Sequence, residues 1–307
     1  FYTFFEPVEI FPTQSQIEIA TRVSRFGDII TPLNLACPIS LENFNDNDQV
    51  LIIRHCTHIF SNTGLISWFR SSCKCPVCTS SNPKDKRLRT SIKISSPTTT
   101  VVIDTTPDFR YQMLRTHTTK LDAIVFTHPH RDHYAGLDDI RPFNFFSNKS
   151  MPIYANALTQ IAIKRDFFYA FEEKKDVGLP EMILHTIDQA EFKVGDISFL
   201  PIHVMHREMP VLGFRIGDLS YITDANYISA EEKEKVKGSK ILILNALRKQ
   251  DHPTHFNLDQ AIALATELKV PTVYFIHFSH QIGLHDQVEA SLPAGMHLTY
   301  DGLEFDC

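Results

Sequence analysis

The stretch THPHRDHYAG sets His128, His130, Asp132 and His133 within six positions, directly behind the apolar run DAIVFT (122–127). Alternate residues leaving a strand end point the same way, so His128 and His130 can converge on one cation. Asp132 is placed to start a helix, and with His133 it presents itself to a second cation beside the first. Imidazole nitrogens and a carboxylate suit Zn²⁺, Mn²⁺ or Fe²⁺. Later strand ends carry further candidates: His206 after PIHVM, Asp224 after LSYIT and His277 after TVYFI. A packed core asks for nothing of this kind, whereas two-metal chemistry does. Two cations sharing a water lower its pKa enough to supply hydroxide near neutral pH, and their charge stabilises the negative charge that builds on an attacked centre. HPTHF offers two further histidines, His252 and His255. Arg141 is a candidate fork for a phosphate oxygen, or else a salt-bridge partner of Asp138 or Asp139. Asp108 and Arg110 read as structural.

These side chains need a rigid frame, and from residue 90 onward the pattern supplies one. The β-rich runs TVVID (100–104), DAIVFT, ISFLPIHV (197–204), LSYIT (219–223), KILILNA (240–246) and TVYFIH (272–277) read as strands. Helical patterns lie among them: PDFRYQMLR, ALTQIAIKRDFFYAF, SAEEKEKVKG and NLDQAIALATELK. EFKVGDISFL and FRIGDLSYI turn at Gly-Asp, a hairpin signal. A layered α/β protein with mixed sheets follows. Residues 1–36 are unassigned apart from IEIATRVSRF (17–26), which reads as a short amphipathic helix. Residues 37–78 are dense in cysteine and histidine and poor in periodicity, as in a small unit held by metal. Residues 79–307 form the large domain, sharing the cysteines of 73–78 with the small one.

A formal charge of −6 leaves nucleic acid unsupported as a partner, though not excluded. No apolar run approaches the roughly 20 residues of a membrane span, and no leader pattern is present. A soluble, cytoplasmic chain is expected. Six cysteines in 307 residues, clustered among fifteen histidines, indicate metal in a reducing compartment rather than a disulfide scaffold. The chain opens on Phe1, so its N-terminus is expected to be incomplete. Homodimerisation is left open.

From about residue 73 the sequence resembles the metallo-β-lactamase superfamily, whose HxHxDH signature is His128 to His133 here. The resemblance implies an αββα sandwich with the site at one edge. It implies one metal, zinc or manganese, on His128, His130 and His206, a second on Asp132, His133 and His277, and Asp224 bridging both. DTTPDFR (104–110), GLDDIRPFN (136–144), NALRKQDHPTHFNLDQA (245–261) and HFSH (277–280) resemble its phosphodiesterase branch, which holds the PhnP-like and PqqB-like proteins. A small or cyclic phosphodiester is the substrate this implies. A histidine-containing loop like HPTHF protonates the leaving group in RNA-processing relatives, which implies His252 or His255 as general acid or phosphate ligand. One departure stands out: the branch opens with a strand and a glycine-rich turn, and nothing like it occurs in residues 1–72.

CKCPVC (73–78) can be read in two ways. Upstream, CPIS (37–40), CTHIF (56–60) and CPVC (75–78) resemble a RING finger, in particular the single-zinc SP-RING variant. That reading closes a structural zinc site with Cys56, His58, Cys75 and Cys78, in a module that would bind a ubiquitin-conjugating-type partner. The hydrolase resemblance instead implies a structural zinc on Cys73, Cys75, Cys78 and His280. Four-coordinate zinc cannot use Cys75 and Cys78 in both places.

Overall fold

The frame is read from a computed structural model that describes residues 21–30, 32, 44–53, 59–61, 73–172 and 178–306. The chain divides into two units, Phe1–Lys74 and Cys75–Cys307. In the first, strands β1 (Thr21–Arg25), β2 (Gln49–Ile53) and β3 (Ile59–Ser61) form an antiparallel sheet. Val50, Ile52 and Ile59 make its small core, with Phe26, Ile29 and Phe44 against them. The helix expected over 17–26 is corrected for its described part. Thr21–Arg25 is a strand paired in register with Ile53–Gln49, where β-branched Val23 is better accommodated than in a helix. Cys56 and His58 lie outside the described residues.

The second unit is built on two sheets. One has the order β4 (Ile92–Ser95), β5 (Thr100–Ile103), β6 (Ala123–Val125), β7 (Met151–Ala155) and β8 (Met182–Thr186). The other has eight strands. Its path is β13 (Tyr227–Ile228), β10 (Ile197–His206), β11 (Met209–Ile216), β12 (Leu219–Ile222), β14 (Ile241–Asn245), β15 (Thr272–Ile276) and β16 (Met296–Leu298), while β9 (Phe192–Val194) pairs with β10. Both Gly-Asp hairpins form, β9 to β10 and β11 to β12. A shared core of Val101, Ile103, Val125, Phe199, Phe214 and Tyr221 draws on both sheets. Each such fully buried side chain contributes roughly 1.5–3 kcal/mol. Helices cover the outer faces. Phe109 and Met113 of α1 (Phe109–Arg115) and Ala162 and Ile163 of α4 (Ala157–Asp166) pack in the cluster on the first sheet. Between them in sequence lie α2 (Arg131–Tyr134) and α3 (Arg141–Ser147). The cluster on the second sheet takes Val236 of α5 (Ala230–Val236) and one face of α6 (Leu258–Leu268). The layers are α, β, β, α.

Helix α6 shows how sequence sets the frame. Leu258, Ala261, Leu264, Ala265 and Leu268 recur at helical spacing and are buried. Asn257 caps its first turn reciprocally with Gln260, closing a capping box that also ends the loop bearing His252 and His255. On the other sheet, a Cβ on Gly136 would stand 2.0 Å from the Thr106 carbonyl oxygen. Its N–H donates to Thr105 O at 2.9 Å, so backbone meets backbone just after α2. Gly136→Ala should therefore cost about 3 kcal/mol by overpacking, read as a fall in melting temperature of the metal-free protein. An unchanged melting temperature would show that the loop yields freely.

Candidate metal centre

The last residues of several strands meet at one edge of this sandwich. His128 follows β6, His206 ends β10, Asp224 follows β12 and His277 follows β15. Helix α2 adds Asp132 and His133, with His130 at its N-cap, so the helix begins one residue before Asp132. Asp224 is buried at the centre. Its Oδ1 lies 3.3 Å from His133 Nε2 and 3.2 Å from His277 Nε2, while Oδ2 lies 3.7 Å from His128 Nε2. His130 and His206 group with Asp224, and Asp132 groups with His133 and His277, each set compact enough to hold one ion. Every metal candidate at strand ends and on α2 is thus brought together.

The donor set fits cations. The buried nitrogens His128 Nε2, His133 Nε2 and His206 Nδ1 have no hydrogen-bond partner, a cost that folded proteins avoid unless something else satisfies them. Burial, with His133 beside it, drives the His128 imidazole well below its usual range, so its nitrogen keeps a lone pair. Burial opposes ionisation of Asp224, yet the His277 and His133 imidazoles hold it well below the carboxylate range. Burial would likewise discharge His133, but Asp224 and Asp104 on its flanks hold it well above the usual imidazole range. The centre is built to keep positive charge next to Asp224.

Asp104 is the residue that sequence reasoning passed over. It ends TVVID, fully buried, and accepts from His133 Nδ1 at 2.8 Å, from Thr127 N at 2.9 Å and from the Thr127 hydroxyl at 2.7 Å. The Thr127 oxygen in turn accepts from His128 Nδ1 at 2.9 Å. One carboxylate therefore fixes two ring orientations and leaves both Nε2 atoms free to ligate. The available signal was a charged residue closing an apolar strand. Asp104→Asn should lower metal affinity about 10- to 100-fold, measured by competition with a chromogenic chelator, and a smaller change would reduce Asp104 to packing.

The loop with the other two histidines is pinned. Arg248 donates to Gln281 Oε1 and to Asp251 O, Asn257 donates to Asp251 Oδ1, and Asn226 donates to Pro253 O. His255 is buried, 3.9 Å from Asp224 Oδ2 through Nδ1, and burial pushes its pKa down to about 3. It stacks 5.1 Å from His277, and half-buried His252 lies 5.1 Å from His255. Arg141 is not brought to this cluster by its contacts. Its Nε donates to Asp138 O at 3.1 Å and its guanidinium pairs with the Asp138 carboxylate at 2.7 Å, the salt-bridge alternative.

Residues 99–278 match the model of the beta-lactamase superfamily domain. The chain belongs to the metallo-β-lactamase superfamily. A crystal structure described as a new diphosphatase from the PhnP family is 40% identical, over 76% of this chain and 89% of that one, with a TM-score of 0.71. Zn²⁺-bound PqqB from Methylobacterium extorquens shares the fold at 17% identity, over 77% of this chain and 94% of its own, with a TM-score of 0.60. An octanoyltransferase of Porphyromonas gingivalis is 36% identical over 235 residues, 76% of this chain. The chain spans less than half of that relative, 47%. A Ring finger domain model matches residues 35–79.

Three residues of the superfamily site stand in the left-handed region: Asp104 at φ 68°, Asp224 at φ 52° and His277 at φ 61°. None is glycine, and Asp and His tolerate this region better than most residues do. Beyond His277, His280 Nδ1 lies 3.6 Å from Cys75 Sγ and 3.3 Å from Cys78 Sγ. Cys73 is exposed and belongs to the first unit, two residues before Cys75. Among the described residues, no helix is long and apolar enough to cross a membrane.

Proposed function

We propose that this chain is a dinuclear phosphodiesterase acting on a small or cyclic phosphodiester. The observation that carries the reading is Asp224, buried between two compact donor sets and within 3.7 Å of three imidazoles. His128, His130 and His206 would hold one divalent cation, zinc or manganese. Asp132, His133 and His277 would hold the other, with Asp224 reaching both. Bound cations would supply an activated water near neutral pH and positive charge against the phosphoryl oxygens. The rest falls to the chain. Asp104 and Thr127 hold His128 and His133 in their ligating orientation. His255 faces Asp224 and serves as a phosphate or cation contact. His252, less buried and on the solvent side of the same loop, gives the proton to the leaving alkoxide. The 40% identity to the PhnP-family diphosphatase supports phosphorus chemistry over the other reactions of this fold.

Cys73, Cys75, Cys78 and His280 would hold a structural zinc. The Cys75 and Cys78 contacts with His280 support that set. Cys73 is tethered within about 7 Å of Cys75 by two residues of chain. The domains would run as 1–36, 37–78 and 79–307, with the cysteines of 73–78 serving the last. The test is hydrolysis of bis(p-nitrophenyl) phosphate by metal-replete protein. Activity that a chelator abolishes and His130→Ala removes is expected. Inactivity of the replete protein would end the phosphodiesterase reading.

The Ring finger match sustains a second reading, in which residues 37–78 engage a ubiquitin-conjugating-type partner. An autoubiquitination assay separates the two. A signal lost in Cys56→Ser would favour that module.

A further inference from the structure

The loop that bears His252 and His255 leaves β14 and returns at α6, and backbone closes its neck. Leu247 N donates to Phe256 O at 3.0 Å, and Leu258 N donates to Arg248 O at 2.9 Å. Among the described residues, none of 249–255 shares in a backbone-to-backbone hydrogen bond. Side chains therefore set the course of the loop. His255 is held by burial, whereas His252 is half-buried and needs another support. The Arg248 guanidinium supplies it. Nη2 donates to Asp251 O at 2.6 Å and Nε donates to Gln250 O at 3.3 Å, the two carbonyls directly before His252. Nη1 reaches sideways to Gln281 Oε1 at 3.0 Å. Gln281 sits in the single turn His280–Ile282, where Ile282 is buried and the Ser279 hydroxyl accepts from Gln281 N at 3.1 Å. One planar fork thus spans two acceptors on the loop and one on a segment fixed to the core, a geometry that lysine cannot copy.

We propose that Arg248 is a positioning residue for proton transfer: by tying the two peptide units before His252 to Gln281, it holds that imidazole where the leaving group departs. The inference rests on the proton-donor role given to His252 above. Burial, and after it the Arg248 charge, also lower the His252 imidazole below its usual range, so its protonated form is the stronger acid. A well-placed acid matters most when the leaving group is basic and cannot depart unaided. Arg248 therefore acts on substrate range as well as on rate, because diesters with poor leaving groups depend on it most. His255, which faces Asp224, does not depend on this fork, since the Arg248 contacts stop at Asp251.

The test compares kcat/KM of the full, metal-loaded chain on bis(p-nitrophenyl) phosphate, whose leaving group needs little proton assistance, and on diphenyl phosphate, whose leaving group needs more. Arg248→Lys should lose roughly tenfold more on the second diester than on the first, at unchanged metal content. Added guanidinium ion, at concentrations that leave the wild type unaffected, should restore the difference in Arg248→Ala. A merely structural role would lower both substrates alike. Gln281→Ala removes only the far anchor of the fork and should repeat the selective loss more weakly, which keeps the question answerable if Arg248→Ala unfolds. Equal losses on the two diesters, or no rescue by guanidinium, overturn the proposal. Backbone hydrogen exchange in the same samples is independent of turnover: residues 249–256 should exchange faster in Arg248→Ala, and unchanged protection also overturns it. A wild type inactive on both diesters refutes the phosphodiesterase reading alone, and exchange then decides whether Arg248 holds the loop.

Discussion

Asp224→Ala should abolish hydrolysis of bis(p-nitrophenyl) phosphate, by on the order of 10³-fold or more, and should leave the protein with less than its full complement of cations. The size follows from what the side chain does. Its carboxylate is buried, accepts from the Thr223 hydroxyl at 2.6 Å and faces four imidazoles drawn from different elements: His128, His133, His277 and His255. On the proposed dinuclear reading, removing it would withdraw the charge that balances both cations, and several kcal/mol of transition-state stabilisation correspond to that loss in rate. Bound metal counted by elemental analysis and kcat/KM should fall together. Near-wild-type turnover with both metals retained would show that Asp224 is dispensable, and the dinuclear arrangement would have to be abandoned.

His280→Ala should remove one zinc per chain and lower the stability of the second unit by several kcal/mol, whereas His58→Ala should leave zinc content unchanged. The asymmetry rests on Cys75 and Cys78, whose thiols meet His280. Closing a structural zinc site contributes folding free energy directly, on the order of 10 kcal/mol in zinc-finger peptides. The effect here should be smaller because the sandwich has its own core. Zinc counted after gel filtration, together with thermal unfolding, checks the pair of variants. Loss of zinc in His58→Ala with none in His280→Ala would return CKCPVC to the RING-like set.

The candidate ligands at strand ends could be grouped from sequence because each sits where an apolar run stops. Strand ends at one edge of a sheet gather in space whatever the loops do, so His128, His206, Asp224 and His277 could be joined before any coordinates. The α/β layering followed from runs long enough to show their period. Short strands escaped: IKIS (92–95) and MHL (296–298) are too brief to display alternation. Asp104 escaped for a different reason. Its role depends on a side chain 29 positions away, His133, and no local pattern reports such a contact. Arg141 carried a correct alternative, because a partner three residues earlier in sequence is within reach on one helical turn. The strand at Thr21–Arg25 was mistaken for helix because pairing with Gln49–Ile53 is invisible in a ten-residue window.

The left-handed backbone at Asp104, Asp224 and His277 has a thermodynamic reach beyond geometry. Conformations of this kind cost of order 1 kcal/mol or more each, and they persist only where surrounding packing enforces them. The enforcing partner is the interior shared by the sheets, to which Tyr221, Val125 and Phe199 belong. Cation affinity should then report on core quality. A mild cavity such as Val125→Ala would loosen the chain around the donors, and weaker metal binding should appear at temperatures where the fold is still intact. In this molecule, the first symptom of a damaged interior would be a leaking metal.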